Sequence, residues 1–157
     1  MFFRRMLAII CLVVLVSSPA AAERKPVTPA KNDKCPVCGM FVARYPDIIA
    51  EIIFKDGTYA VFDGCKDMFR YYLNMKEYNP SKSINDIDSI YVHEYYDLKI
   101  IDGRKAYYVV GSNVTGPMGR ELVPFRSEED ASAFQYDHKG KILRFGDVTE
   151  EVMKAIK

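Results

Sequence analysis

Two cysteines and a methionine lie close together in the stretch KCPVCGMF, residues 34–41. A spacing of two residues lets the sulfur atoms of Cys35 and Cys38 meet at one point, which suits a disulfide, a metal ion or a dithiol redox couple. Gly39 permits a tight backbone turn there. The thioether of Met40 is a poor ligand for zinc and a good ligand for copper(I). The motif leaves a redox dithiol, a structural zinc site and a copper(I) site as alternatives, and Met40 favours copper(I).

Two more sulfur side chains are candidates for the same chemistry. Met118 lies in the Gly/Pro-containing stretch 111–125, where no helical or strand periodicity predicts its burial. Loops on a rigid scaffold often carry binding residues, although a methionine there also anchors a loop to the core. Cys65 begins a predicted helix, a position that lowers the pKa of a thiol. It would supply a third thiolate, fill a small buried position, or form a disulfide with Cys35 or Cys38.

The N-terminal segment predicts export from the cytoplasm. Two arginines precede an apolar run over residues 6–16, and a small-x-small pattern ends at Ala22. The run is short for a membrane-spanning helix, which needs about 20 residues. Residues 1–22 are therefore predicted as a signal peptide. The mature chain keeps an odd number of cysteines in an oxidising compartment, which favours a metal or redox role for at least one of them.

The elements that must position these side chains follow a repeated pattern. Apolar, β-branched and aromatic runs flank Asp-Gly pairs in residues 47–64, around Asp56-Gly57, and in residues 95–112, around Asp102-Gly103. Asp-Gly suits a two-residue hairpin turn, so both stretches are predicted as β-hairpins. Helical spacing of apolar residues follows in 65–78, and a strand pattern in 86–98.

The second half has the same order of elements. We expect a helix at 127–138 with Ser127 as its N-cap, a strand at 141–145 and a terminal helix at 149–157 capped by Thr149. Strand, strand, helix and strand thus occur twice, which predicts an α+β fold of duplicated ββαβ modules with antiparallel sheets. The expected division is a signal peptide (1–22), a flexible leader (23–34), a first module with the CxxCGM motif (35–96) and a second with the GPMG loop (97–157).

Composition excludes several classes of protein. The chain has 22 basic and 21 acidic residues, a balance that argues against a nucleic-acid groove. It contains no glycine loop of the nucleotide-binding type, no GxSxG and no HExxH. Pairs of acidic residues occur in the first turns of predicted helices, where they complement the helix dipole. Hydrolytic activity and nucleic-acid partners are therefore not expected.

Three motifs together resemble the NosL family, the accessory proteins of nitrous oxide reductase. They are CPVCGM near the mature N-terminus, FDGC before a helix and GPMGRELVPF late in the chain, within residues 34–145. The resemblance implies a periplasmic copper(I) chaperone without catalytic activity, which works with nitrous oxide reductase and an ABC-type maturation transporter complex. It also implies paired ββαβ modules related to the organomercurial lyase fold.

The resemblance further implies which residues bind copper. Carried over by position, the ligands are Cys35, Cys38, Met40 and Met118, and Cys65 remains a further candidate. Many relatives are lipoproteins, whereas an ordinary cleavage site is expected here, so the resemblance implies a periplasmic protein that is membrane-proximal at most and not lipidated.

Two alternatives stand beside the copper carrier. The first is a thiol–disulfide oxidoreductase that uses Cys35 and Cys38, although a hairpin follows the motif instead of the long helix of thioredoxin-like proteins. The second is a structural module stapled by zinc through Cys35, Cys38, Cys65 and His93.

Overall fold

The structure, a computed structural model, describes residues 23–156. The predicted signal peptide, residues 1–22, lies outside the described residues. In the described part of the chain, no helix has both the length and the apolar character needed to cross a membrane. These residues form an α+β fold with two antiparallel sheets, which confirms the predicted fold class.

The first sheet is formed by β1 (Ala50–Phe54), β2 (Tyr59–Phe62), β3 (Ile87–His93) and β4 (Ile100–Asp102), in the order β2-β1-β3-β4. The hairpin predicted around Asp56-Gly57 is confirmed, because β1 and β2 pair antiparallel on either side of it. Gly57 has a φ of +88°, a value that favours glycine and allows the tight turn. Strand β1 is central, with a paired strand on each side, and all of its residues are buried.

The second sheet is formed by β5 (Tyr107–Gly116), β6 (Gly119–Phe125) and β7 (Lys141–Arg144), in the order β6-β5-β7. Gly116 pairs with Gly119, so Pro117 and Met118 form a two-residue turn between β5 and β6. The stretch interpreted as a loop from its glycines and prolines is therefore mostly a hairpin, with Met118 at its tip.

The two sheets repeat one topology. In each, the first strand of a hairpin is central, with its hairpin partner on one side and the strand after a helix on the other. The caps predicted for the last two helices are confirmed, because the side chain of Ser127 accepts the N–H of Asp130 and that of Thr149 accepts the N–H of Val152. The helices are α1 (Cys65–Leu73), α2 (Met75–Tyr78), α3 (Glu128–His138) and α4 (Glu150–Ala155).

The hairpin predicted around Asp102-Gly103 is wrong. A turn does form there, since the N–H of Ala106 donates to the carbonyl of Asp102. The strands on its two sides nevertheless belong to different sheets, because β4 pairs with β3 and β5 pairs with β6. A turn signal fixes a local change of direction, and the hydrogen-bonding partner of each strand is decided by packing elsewhere. The predicted boundary between the modules at residue 97 stays a prediction. Strand β4, which follows that residue, pairs with the first sheet.

Helix α1 joins the two halves of the fold. The ring of Phe69 lies 5.0 Å from the ring of Tyr108 in β5 and 4.9 Å from that of Phe145 after β7. Residues of both sheets share one buried apolar cluster around this helix. Burying one such aromatic side chain is worth about 2 kcal/mol, so α1 is held by packing from both sides.

The segment predicted as a flexible leader lies along the first sheet. The carbonyl of Arg24 accepts hydrogen bonds from the hydroxyls of Ser89 and Tyr91 in β3. The N–H of Val27 donates to the buried carboxylate of Glu51 in β1 at 2.9 Å. These bonds fix the path of the chain just before the two-cysteine motif.

Candidate metal centre

The two-cysteine motif is a tight loop closed by its own backbone. The N–H of Cys35 donates to the carbonyl of Met40, and the N–H of Gly39 donates to the carbonyl of Cys35, both at 2.9 Å. Gly39 has a φ of +78°, and Lys34 pairs with Phe41 in a short antiparallel bridge. This closure turns the chain back on itself and brings the two cysteines to one end of the loop.

The loop meets the start of helix α1, where two carboxylates approach the thiols. The Sγ of Cys35 lies 3.4 Å from Oδ2 of Asp67, and the Sγ of Cys38 lies 3.2 Å from Oδ1 of Asp63. The ligand atoms of all four residues lie within 4.8 Å of one another. Both aspartates are 2% exposed, and Oδ2 of Asp63 has no hydrogen-bond partner. Two thiols and two carboxylates therefore converge on one point that is able to accept a cation.

The thiols are neutral in this arrangement. The pKa of Cys38 is raised to about 11, mainly by burial; the backbone N–H of Met40 opposes this rise, and hydrogen bonds to Asp67 and Asp63 add to it. Burial also raises the pKa of Cys35 far above the usual value of a thiol. Neither cysteine is in a disulfide. A metal ion that binds here must therefore displace protons from the sulfur atoms.

The two thiols differ in their access to solvent. Cys35 is 1% exposed, whereas Cys38 and Met40 are half-buried. An ion held by this loop would be enclosed on the side of Cys35 and reachable on the side of Cys38.

Met118 is held next to the same helix. Its side chain is 41% exposed at the tip of the β5–β6 hairpin. Its backbone carbonyl accepts a hydrogen bond from the ammonium of Lys66, which precedes Asp67 in α1. The hairpin turn is therefore docked on the helix end that supplies carboxylates to the thiols, so both distant motifs of the sequence contact the start of α1.

The third cysteine does not join the four-residue cluster. Cys65 is buried at the first position of α1 and belongs to the apolar core. His93 also lies outside the cluster among the described residues, so the predicted zinc ligand set of Cys35, Cys38, Cys65 and His93 is not assembled there. Whether Cys65 binds copper stays a prediction.

Four residues at the candidate site were not predicted from the sequence. Asp63 and Asp67 lie on either side of the first residue of α1, and neither belongs to a recognised metal-binding motif. The FDGC motif did place Asp63 just before the helix. Lys66 and Glu121 are charged residues that become buried only in the folded chain. Glu121 lies in the GRELVPF motif. Its position in a strand gave no indication that its carboxylate contacts helix α1.

Comparisons with known proteins agree on one family. The NosL family model matches residues 26–153. A copper-binding lipoprotein NosL of Stutzerimonas stutzeri is 30% identical over 138 residues, which cover 83% of this chain and 69% of that protein. A copper-binding lipoprotein NosL of Achromobacter cycloclastes is 44% identical over 50 residues, 31% of this chain and 26% of that protein.

A solved structure shows the same fold. The crystal structure of the copper chaperone NosL from Shewanella denitrificans superimposes with a TM-score of 0.69 at 28% sequence identity. The match covers 81% of this chain and 97% of that chain. The similarity thus extends over both sheets and is not limited to the short motifs.

Proposed function

Because this chain belongs to the NosL family, we propose that it carries copper(I) outside the cytoplasm and transfers it to a partner protein without catalysis. The observation that supports this most is that two free thiols converge at the start of α1, the same part of the helix that binds the turn carrying Met118. Relatives named for copper binding and copper chaperoning support the choice of metal.

The donor atoms favour the monovalent ion. Thiolates and thioethers are soft ligands that select copper(I), whereas zinc is bound poorly by a thioether. We propose that Cys35, Cys38 and Met118 bind the ion and that Met40 lies close enough to contribute. The carboxylates of Asp63 and Asp67 hold the thiols in place before copper arrives, through the hydrogen bonds described above.

The unequal exposure of the ligands provides a route for transfer. Cys35 is enclosed, while Cys38 is half-buried and Met118 is exposed. A partner ligand is therefore able to approach on the open side and replace Met118 and then Cys38. Cys35 keeps its bond longest, which prevents release of free copper during the exchange.

The state of the thiols supports a carrier over a thiol–disulfide oxidoreductase. An attacking cysteine in that class has a lowered pKa, because the thiolate is the nucleophile. Here burial raises the pKa of both cysteines, and neighbouring carboxylates stabilise the protonated form of Cys38. Such thiols attack disulfides slowly but still bind copper(I), because the metal displaces their protons.

The client and the compartment are part of the proposal. We propose that the chain acts in the periplasm after cleavage at Ala22 and delivers copper for nitrous oxide reductase, in contact with its ABC-type maturation transporter complex. Relatives are named lipoproteins. Intact mass of the mature protein tests our expectation that this chain is not lipidated, because a lipid adds mass and a cleaved form without lipid begins at Glu23.

Anaerobic titration of the reduced protein with copper(I), against a chromophoric competitor, tests the proposed function. We expect tight binding, with sulfur scatterers in the X-ray absorption spectrum. Met118→Leu should weaken binding by about tenfold or more, equal to about 1.4 kcal/mol or more. The matched control is Met153→Leu, which changes a buried methionine of α4 and should leave affinity unchanged. Absence of binding by the unmodified protein would overturn the proposal.

A further inference from the structure

Lys66 is a buried lysine with an unusual partner. Its side chain is 3% exposed, and its ammonium donates to the backbone carbonyl of Met118 at the hairpin tip. Among the described residues it forms no ion pair with a carboxylate. Burying a charge without an opposite charge in direct contact is costly. A shorter polar side chain or an apolar one would fill an ordinary core position at lower cost, so this lysine points to a role at the turn.

Glu121 also connects the β5–β6 hairpin to α1, but here the side chain comes from the hairpin and the backbone group from the helix. It extends from β6 to the start of α1, where its Oε1 accepts the backbone N–H of Lys66 as well as that of Leu122. α1 has no side-chain cap from Gly64, the residue that precedes it, so Glu121 satisfies an N–H that the helix leaves free. The hairpin thus caps the helix while the helix binds the hairpin tip.

Two glycines leave room for the carboxylate of Glu121 between the hairpin and α1. A Cβ at Gly64 would collide with Oε2 of Glu121, and a Cβ at Gly116 would lie 3.0 Å from the same oxygen. The carboxylate is therefore enclosed between the residue before α1 and the residue before the turn. Its position leaves little freedom for the hairpin to move relative to the helix.

We infer that Lys66 and Glu121 are positioning residues, a two-bond latch that holds the Met118 thioether ready beside the two thiols before copper binds. The same helix end carries Asp67 and follows Asp63, the two residues bonded to the cysteines. The latch thus connects the turn that carries Met118 to the two-cysteine loop through helix α1. This inference rests on the proposed function, because it assumes that Met118 is a ligand.

The physical benefit is a lower cost of binding. Met118, Gly119 and Arg120 are exposed. The pairing of Gly116 with Gly119 closes the turn, and the bond from Lys66 ties its tip to the helix. A free turn would lose conformational entropy each time the thioether bound copper. With the latch in place, that entropy is lost on folding instead, and the ion meets a site that is already arranged.

A double-mutant cycle between Lys66→Leu and Met118→Leu tests the latch, because leucine keeps apolar bulk at position 66, removes the donor and adds no sulfur atom. With Met118 present, Lys66→Leu should weaken copper(I) binding by about fivefold, the usual effect of one lost hydrogen bond. In the Met118→Leu background, Lys66→Leu should change the affinity less than about twofold, because there is no thioether left to position. An equal loss in both backgrounds, or no loss in either, would overturn the inference.

Two further variants separate the latch from charge and from folding. Arg120→Gln removes a positive charge from the same turn without touching the latch, and should not weaken binding. Glu121→Gln keeps an oxygen acceptor for both N–H groups and should retain most of the affinity, whereas Glu121→Ala should lose as much as Lys66→Leu. Methionine methyl NMR adds an independent readout, since the Met118 resonance should become averaged in the metal-free Lys66→Leu protein. A Met118 resonance identical to that of the unmodified protein would also overturn the inference.

The same cycle distinguishes failure of the latch from failure of the proposed function. If Met118→Leu alone leaves the affinity unchanged, the thioether is not a ligand and the proposed site is wrong. If Met118→Leu weakens binding but does not alter the effect of Lys66→Leu, the copper site stands and the latch is wrong.

Discussion

The Sγ of Cys38 lies 3.2 Å from Oδ1 of Asp63, a residue 25 positions later in the chain. The contact exists because β2 ends at Phe62 and the chain turns directly into α1, so the β2–α1 junction faces the two-cysteine loop. One oxygen of Asp63 accepts the thiol and the other is buried without a partner. A buried carboxylate oxygen without a hydrogen-bond partner favours a nearby cation.

The affinity for copper(I) should rise steeply with pH. The raised pKa of Cys38, about 11, and the higher pKa of Cys35 keep both thiols protonated between pH 6 and 8. Each thiol proton that copper displaces makes the affinity rise about tenfold per pH unit, so two thiols predict about a hundredfold. Competitor titrations at pH 6, 7 and 8 measure this slope.

The matched variant for this slope is Cys38→Ser, which should bind more weakly and with a slope reduced to about tenfold per unit. Affinity that does not depend on pH would mean that the thiols are not the ligands.

Cys65→Ala should leave the copper site intact, because Cys65 lies in the apolar core and outside the cluster of Cys35 and Cys38. We expect an unchanged copper stoichiometry and an unchanged number of sulfur scatterers, with a loss of stability of about 1 kcal/mol from the small cavity. Thermal unfolding and X-ray absorption of the same samples measure both effects. Fewer sulfur scatterers in Cys65→Ala would instead make Cys65 a ligand.

The sequence revealed local features of this fold better than distant ones. The hairpin at Asp56-Gly57 and the caps Ser127 and Thr149 were predictable, because turn and cap residues act on backbone groups within a few positions. The wrong hairpin at Asp102-Gly103 shows the limit of that reasoning. Its turn is real, but the strands on its two sides found partners through packing with other elements.

At the candidate site, too, local features were predictable from the sequence and distant contacts were not. The meeting of Cys35 and Cys38 follows from their spacing, and the family resemblance pointed to Met118. The burial of Lys66 and Glu121 did not follow from either, since both side chains are charged and such residues are mostly exposed. Their positions depend on how the second sheet docks against α1, which no local pattern records.

Gly64→Ala should destabilise the protein by about 1–3 kcal/mol, the usual range for overpacking, because the added Cβ collides with the enclosed carboxylate of Glu121. The matched control is Gly146→Ala, where a Cβ would meet no atom within 4 Å and φ lies outside the left-handed region. Chemical denaturation of both variants measures the difference. Equal stability of the two would show that the Glu121 carboxylate is not held between α1 and the turn.

The free energy of unfolding should fall as the pH rises through neutrality. Burial raises the pKa of Glu51 and of Glu121 to about 7, above the value of about 4.3 for a glutamate in an unfolded chain. The folded state therefore binds these protons more tightly than the unfolded state. Their contribution to stability is complete below the unfolded pKa and is lost as the pH rises through 7. We expect a loss of about 1–2 kcal/mol between pH 6.5 and 8.

Glu51→Gln isolates one of these two groups. The amide oxygen still accepts the N–H of Val27, so the contact with the leader is kept while the titrating proton is removed. About half of the pH dependence should disappear, as measured by urea denaturation at pH 6.5, 7.2 and 8. Glu128→Gln, a change at an exposed glutamate of α3, should keep the full dependence. If Glu51→Gln keeps it as well, the carboxylate of Glu51 is hydrated in solution and the leader does not cover it.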